Sequence, residues 1–426
     1  MTVALRVIVL SAWTVLSAWT VPSVSTVLLA STVWPAVQAA EPAKGKSGTD
    51  RYQWELITMD AAFAPRDGAG AVTFDGKMWL LGGWNPGTRH REFFPRICNN
   101  EVWSTQNGAD WTLIRANTFR DSSFDAAADW EGRHTAGYVV HRDHMWIVGG
   151  DCNQHHYQND VWNSKDGRNW NFVNRGRPVP WKNRVLHYTV AHDDRIWVMG
   201  GQSMPGFVDG VDETFHRDVW TTQDGVNWTE IQPVEPCWTA RGMIGGTAVK
   251  DNRIWVLGGG TYDTPQTPTR KFHNDVWSTA DGVHWKQHTA AAPWNARQYH
   301  DVAVWDGQLW VMEGYYVEGG NRNDVWYSPD GENWTEVPAT PWKPRHAASL
   351  YVFQDALWMV TGNNMESDVC DSAENSPAAD QDGNCFSRAV AGLCRQMFPG
   401  WRDSPGVAGV PWSFQRITDA NGRKSC

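Results

Sequence analysis

Apolar runs a few residues long, separated by polar segments rich in Gly, Asp and Asn, recur along most of the chain. Residues 297–334 show the unit most clearly. RQYHDVAVW alternates polar and apolar positions, the period of a strand with one buried face. Asp306-Gly307 follows, then the apolar run QLWVM, a polar loop, NDVWYS, and Asp330-Gly331 leading into a segment opened by Trp334. Asp-Gly between alternating hydrophobics is a strong hairpin signal. Three hairpin connections, two of them Asp-Gly turns, joining four short strands predict one small antiparallel sheet.

The unit repeats with fixed marks. An aromatic residue precedes an Arg by three positions at Phe63/Arg66, Trp130/Arg133, Trp181/Arg184, Trp238/Arg241, Trp294/Arg297 and Trp342/Arg345. Thirteen residues after the Arg, fourteen in the fourth copy, a Trp sits in an apolar run: Trp79, Trp146, Trp197, Trp255, Trp310 and Trp358. Gly-Gly closes the run in the first four copies, Glu313-Gly314 in the fifth and Thr361-Gly362 in the sixth. After a variable loop come Asp/Glu-Val-Trp and, eight residues on, another Trp, with Asn-Gly or Asp-Gly between them in five copies.

These marks resemble the kelch repeat, as found in kelch proteins and in the central domain of galactose oxidase, over residues 52–369. The resemblance implies an all-β fold, a β-propeller of four-stranded blades. The sixth copy stops one strand short, while Trp54-Glu55-Leu56-Ile57 matches the outer-strand segment Trp228-Thr229-Glu230-Ile231. The expectation is therefore six blades, the last closed by the N-terminal strand, which leaves no open sheet edge.

Composition fits that picture. The 29 Trp and 39 Gly among 426 residues suit short strands and tight turns. The formal net charge of -10 argues against a nucleic-acid surface. Residues 1–40 are apolar and rich in Ser and Thr, with Val37-Gln38-Ala39 as a small-residue cleavage pattern. They are expected to be a signal segment, with 41–51 as a linker and the mature chain exported, periplasmic or extracellular, monomeric and without a membrane span. An uncleaved anchor is the alternative. Residues 370–426 lose every repeat mark and hold four of the seven Cys. They read either as a frameshift or read-through product or as a disulfide-stapled appendage.

Most strand Trp positions are expected to be core. The six Arg (Arg66, Arg133, Arg184, Arg241, Arg297 and Arg345) have two readings: a ring of guanidiniums forming an anion pocket, or pairs with the recurrent acids Asp160, Asp218, Asp275, Asp324 and Asp368. Function is sought where the repeat breaks. Trp84, Tyr315 and Tyr316 are candidate ligand platforms. Glu313 is a candidate proton-transfer group beside Arg297 and Arg345. Tyr299 and His300 look like the Tyr-His pair of galactose oxidase-like copper enzymes, which implies copper as one alternative cofactor. The third-copy loop carries Asp209, Asp212 and Glu213, without the ordered oxygen spacing of a calcium loop. No cofactor is expected; copper and calcium are the alternatives. Cys98 and Cys152 are a candidate disulfide. The functional expectation is a binding module for a glycan, peptide or partner protein. The alternative is a carbohydrate-active enzyme, either a sialic-acid-type sugar isomerase or a copper radical oxidase.

Overall fold

Antiparallel sheets follow one another along the chain, each made from consecutive short strands. The computed structural model describes residues 52, 54–58, 61–84, 98–118, 124–152 (backbone alone for 151–152), 157–203, 213–242, 246–261, 271–316, 319–338 and 340–363. The expectations for residues 1–40, 41–51 and 370–426, and for Asp368, lie outside them.

The first sheet is β1 (Gly70–Phe74), β2 (Lys77–Leu81), β3 (Val102–Thr105) and β4 (Thr112–Arg115), paired in that order. In the second, β5 (Arg133–His134) and β6 (Gly137–His141) both pair with β7 (His144–Cys152), followed by β8 (Tyr157–Ser164) and β9 (Asn171–Phe172). The third comprises β10 (Tyr188–His192) and β11 (Arg195–Met199), then a small hairpin of β12 (Gln202–Ser203) and β13 (Thr214–Phe215), then β14 (Val219–Thr222) and β15 (Trp228–Ile231). The fourth is β16 (Gly246–Lys250), β17 (Arg253–Gly260), β18 (Phe272–Thr279) and β19 (Trp285–Thr289). The fifth is β20 (Asp301–Trp305) and β21 (Gln308–Met312), a hairpin of β22 (Tyr315–Tyr316) and β23 (Gly320–Asn321), then β24 (Val325–Ser328) and β25 (Thr335–Val337). Last comes a pair, β26 (Ser349–Val352) and β27 (Leu357–Val360). The described residues are all-β, arranged as a propeller; none of them forms a helix long and apolar enough to cross a membrane.

Inner strands β1, β6, β10, β16, β20 and β26 each neighbour the next, and β26 neighbours β1. Hydrogen bonds cross that last junction: Gly68 N donates to Ala347 O at 3.0 Å, Gly362 N to Arg66 O at 3.1 Å and Tyr351 Oη to Trp79 O at 3.0 Å. The inner hairpins turn on two residues with positive φ, as at Asp306 (50°) and Gly307 (69°) between the paired residues Trp305 and Gln308. That is the primed-turn geometry that matches strand twist.

Two sequence marks pack the sheets. In Ser328-Pro329-Asp330-Gly331-Glu332-Asn333-Trp334, Ser328 Oγ accepts the Gly331 N–H at 2.8 Å. Asp330 Oδ1 accepts the N–H groups of Glu332 and Asn333, and Trp334 Nε1 donates to Gly331 O. Burial would raise the Asp330 carboxyl, but these hydrogen bonds outweigh it and hold the group at about 2. The turn glycine then lies on the preceding sheet's Trp. A Cβ on Gly167 would come within 2.4 Å of Trp79, on Gly225 within 2.7 Å of Trp146, on Gly282 within 2.6 Å of Trp197, and on Gly331 within 2.6 Å of Trp255. Gly108 of the first sheet meets Trp358 of β27 in the same way, at 2.2 Å. Each of these inner-sheet Trp residues is at least 96% buried. One such ring removes about 150–250 Å² from water, roughly 4–6 kcal/mol gross before entropy.

Candidate functional site

The recurrent Arg comes first, because it stands just before each inner strand. Each guanidinium is used in the same way. In the fifth copy, Arg297 Nε donates to Asn295 O, Nη1 to Glu313 O at 2.7 Å, and the fork closes on Asp324 at 2.6 and 2.7 Å. Arg133, Arg184 and Arg241 repeat this with Asp160, Asp218 and Asp275 and the first Gly-Gly carbonyl. Arg66 takes Gly82 O and Glu101, and Arg345 takes Thr361 O. The acids also accept the following Trp indole, as Asp324 does from Trp326 at 2.9 Å. All six Arg residues are at most 3% exposed. They are therefore not an open anion pocket: in five copies the guanidinium is closed by its own copy's carbonyls and acid, and Arg345 is buried against Thr361 O and Glu313.

Other platform candidates are also absorbed by packing. Trp84 is buried, bridges Asp67 and Cys98 through its backbone, and stacks on His134 with centroids 5.8 Å apart. Tyr315 is buried between Phe272 and His346. Tyr316 keeps partial exposure beside Arg322. Trp84 and Tyr315, candidate ligand platforms in the sequence, are buried packing residues here.

Tyr299 and His300 do not assemble as a metal pair. Tyr299, with φ of 54°, is buried against His346. His300 Nε2 lies 2.9 Å from Leu257 O and 3.2 Å from Gly246 N, so that nitrogen is spent on the neighbouring sheet. Burial first, then the charge of Arg297, depresses its pKa to about 3. No group of three His, Cys, Asp or Glu among the described residues is placed to hold a metal. Asp209 and Asp212 lie outside the described residues, and Glu213 accepts a long hydrogen bond from Gln202 at 3.4 Å. Cys98 is buried with its Sγ 3.9 Å from His134 Nδ1; the side chain of Cys152 lies outside the described residues.

What the structure does bring together is a cavity of about 220 Å³ on the axis. It sits where the inner strands begin, lined by residues including Thr135, His187, Thr189, His300 and Asp301. Several polar atoms on these residues are buried without a hydrogen-bond partner among the described residues: Thr135 Oγ1, His187 Nδ1, Thr189 Oγ1, His300 Nδ1 and Asp301 Oδ2.

Asp301 begins β20 and Glu313 follows β21, so one blade supplies both acids. Glu313 takes φ of 59° at the position that is Gly82, Gly149, Gly200 or Gly258 in the other sheets. It is completely buried, neither of its oxygens makes a hydrogen bond of ordinary geometry, and Arg345 Nε stands 3.5 Å away. Burial pushes Glu313 well above the carboxylate range, against the pull of Arg345 and with a further push from Asp301. Burial likewise raises Asp301. Glu313 does not reach the cavity wall; Asp301 does.

The Asp301 departure is visible in sequence beside Tyr299 and His300. The cavity-lining Thr135 and Thr189 carry no motif, because only ring closure brings them together.

No protein-family model matches the chain, and no curated protein matches it. Among solved structures the chain is similar to one described as "Structure of YjhT", at 15% identity over 65% of this chain and 86% of that one, with a TM-score of 0.49.

Proposed function

We propose that residues 52–369 form a six-bladed kelch-type propeller in an exported, monomeric protein, acting as a binding module for a glycan, peptide or partner protein at the loop-bearing end of its axis. Three contacts support the blade count. Gly108 meets Trp358 as every other turn glycine meets its preceding Trp. Tyr52 packs on Trp310 (4.9 Å) and Trp54 on Trp342 (4.5 Å), where an outer strand of the last blade would run.

The observation carrying the binding reading is the axial cavity. Its wall is built from the starts of all six inner strands, whereas the recurrent Arg residues are buried among the scaffold's own carbonyls and acids. The test is a glycan array and a partner pull-down with the full chain and with Ala71→Arg, which places a long cation in the cavity. Retention by wild type and loss in a folded variant is expected; equal retention by both would remove the cavity from the reading.

The Asp301–Glu313 pair favours a second reading, a sugar isomerase with Asp301 as the proton-transfer group. Accelerated anomer exchange of a sialic acid by nuclear magnetic resonance, lost in Asp301→Asn, is its expected signature.

A further inference from the structure

We infer that Arg322 and Tyr316 form a subsite for a monoanionic oxyanion, a carboxylate or a sulfate ester, at the loop-bearing end of the ring. This rests on the binding module proposed above and specifies one group of its ligand.

The residue two before the recurrent acid breaks the pattern in the fifth copy. It is Asn99, Gln158, His216 and His273 in the first four copies and Arg322 in the fifth. Three of the earlier four are tied to the scaffold. Asn99 Nδ2 donates to Glu101 Oε2 at 3.2 Å, Gln158 Nε2 donates to Glu131 Oε2 at 3.1 Å, and His216 Nε2 lies 2.9 Å from Ser203 Oγ. Arg322 has no such tie. Asp324, the acid of its own copy, already accepts Nη1 and Nη2 of Arg297 and the Trp326 indole. Among the described residues no hydrogen bond or ion pair reaches the Arg322 side chain. The residue is half-buried; its Nε is enclosed, and Nη1 and Nη2 are not among the buried atoms.

The β22–β23 hairpin holds this fork in place. Tyr316 pairs with Gly320, Arg322 N donates to Gly314 O at 2.9 Å, and Arg322 O accepts Arg345 N at 2.9 Å. Strand alternation puts Tyr316 and Arg322 on one face of the hairpin. The guanidinium carbon lies over the Tyr316 ring, 5.9 Å from its centroid. A cation–π contact uses the charge of the guanidinium and consumes none of its N–H donors. Two glycines keep the approach clear. A Cβ on Gly319 would stand 2.9 Å from the Tyr316 ring and 3.7 Å from Arg322 Nη1, and a Cβ on Gly320 would meet nothing within 4 Å. The hairpin also shares its end of the ring with the axial cavity. Tyr315 bridges Gln298 and Arg322 bridges Arg345, and the nearby Tyr299 and Ala347 line the cavity.

Charge and shape set the ligand class. One guanidinium balances one negative charge, and its two Nη nitrogens match two oxygens of a carboxylate or sulfate ester. A phosphate monoester carries close to two charges at neutral pH, which leaves the second unbalanced.

Saturation-transfer nuclear magnetic resonance on the full chain takes methyl glucuronide, N-acetylalanine and methyl sulfate as probes, with methyl glucoside as the neutral control. The three anions represent a sugar acid, a peptide carboxyl terminus and a sulfate ester; the strongest signal identifies the source. At least one is expected to bind at millimolar concentration, more weakly as salt rises, and methyl glucoside is not. Arg322→Gln is expected to weaken binding about tenfold or more. It should shift the unfolding midpoint by no more than about 2 °C, because it breaks no hydrogen bond of the scaffold. Tyr316→Leu is expected to weaken binding by a smaller factor. Equal binding of methyl glucoside, no binding of any anion by wild type, or undiminished binding by folded Arg322→Gln overturns the proposal. Undiminished anion binding by Arg322→Gln, with the glycan-array signal lost in Ala71→Arg, would overturn this subsite and leave the axial reading standing. Anion binding lost in Arg322→Gln, with the array signal retained in Ala71→Arg, would support the subsite and remove the cavity.

Discussion

Arg297 and Asp324 form a two-pronged ion pair, Nη1 to Oδ1 at 2.6 Å and Nη2 to Oδ2 at 2.7 Å, and Asp324 Oδ2 also accepts the Trp326 indole. The guanidinium is fully buried. Removing one partner strands the other. Arg297→Met is expected to cost about 3–5 kcal/mol, and the double change Arg297→Met with Asp324→Asn less than the sum of the two singles. Urea unfolding of the three variants checks this; additive losses would mean that the pair is not a unit.

The turn glycines separate backbone strain from packing. Gly307 has φ of 69° and nothing within 4 Å of a Cβ, whereas Gly225 has φ of 75° and the Trp146 ring at 2.7 Å. Gly307→Ala should cost about 1–2 kcal/mol from the left-handed backbone alone. Gly225→Ala should cost that plus about 1–3 kcal/mol of overpacking. Their thermal midpoints rank the two; equal losses would argue that the turn is not wedged against the indole.

Asp67 sets one pH dependence. Burial raises its pKa to about 7 from 3.8, against the hydrogen bond from Asn363 Nδ2 at 2.9 Å. The folded chain then holds a proton that the unfolded chain releases, so this stabilisation is complete below about pH 3.8 and is lost as pH rises through about 7. Asp67→Asn, which keeps an acceptor for Asn363, should remove that fall and leave the variant more stable than wild type at pH 8 by an amount on the order of a few kcal/mol.

Buried histidines act in the opposite sense. Burial lowers His134, His187, His300 and His346 to about 3 from 6.5. Unfolding takes up their protons, so this stabilisation is present above about pH 6.5 and lost as pH falls towards 3. Each group contributes a slope of about 1.36 kcal/mol per pH unit within its window. His187→Gln should reduce the pH slope of the unfolding free energy near pH 5 by one such group.

The repeat made the sheets legible. Asp306-Gly307, Asp330-Gly331 and the Asp-Val-Trp marks each stand where a turn or strand forms, because local turn chemistry and alternation set them. The pairing of Arg with the acid beside Val was legible too, as one of two readings. What sequence spacing concealed was depth. Glu313 reads as a conspicuous departure, yet its place behind the inner strand buries it completely. Tyr315 and Trp84 sit in loops by sequence, but short bridges pair them with neighbouring segments. Thr135, His187 and Asp301 come from three sheets and meet only at the axis.

The contact of Gly108 with Trp358 has a consequence for how the chain is made. The first sheet leaves the ribosome early, but the indole that covers its turn arrives about 250 residues later. Every other turn glycine finds its Trp already synthesised. Sheet-by-sheet folding during translation can therefore proceed from the second sheet onward, while the first waits with an uncovered flank. Closing the ring therefore joins the first described sheet to the last, and that junction cannot form before residue 358 is available.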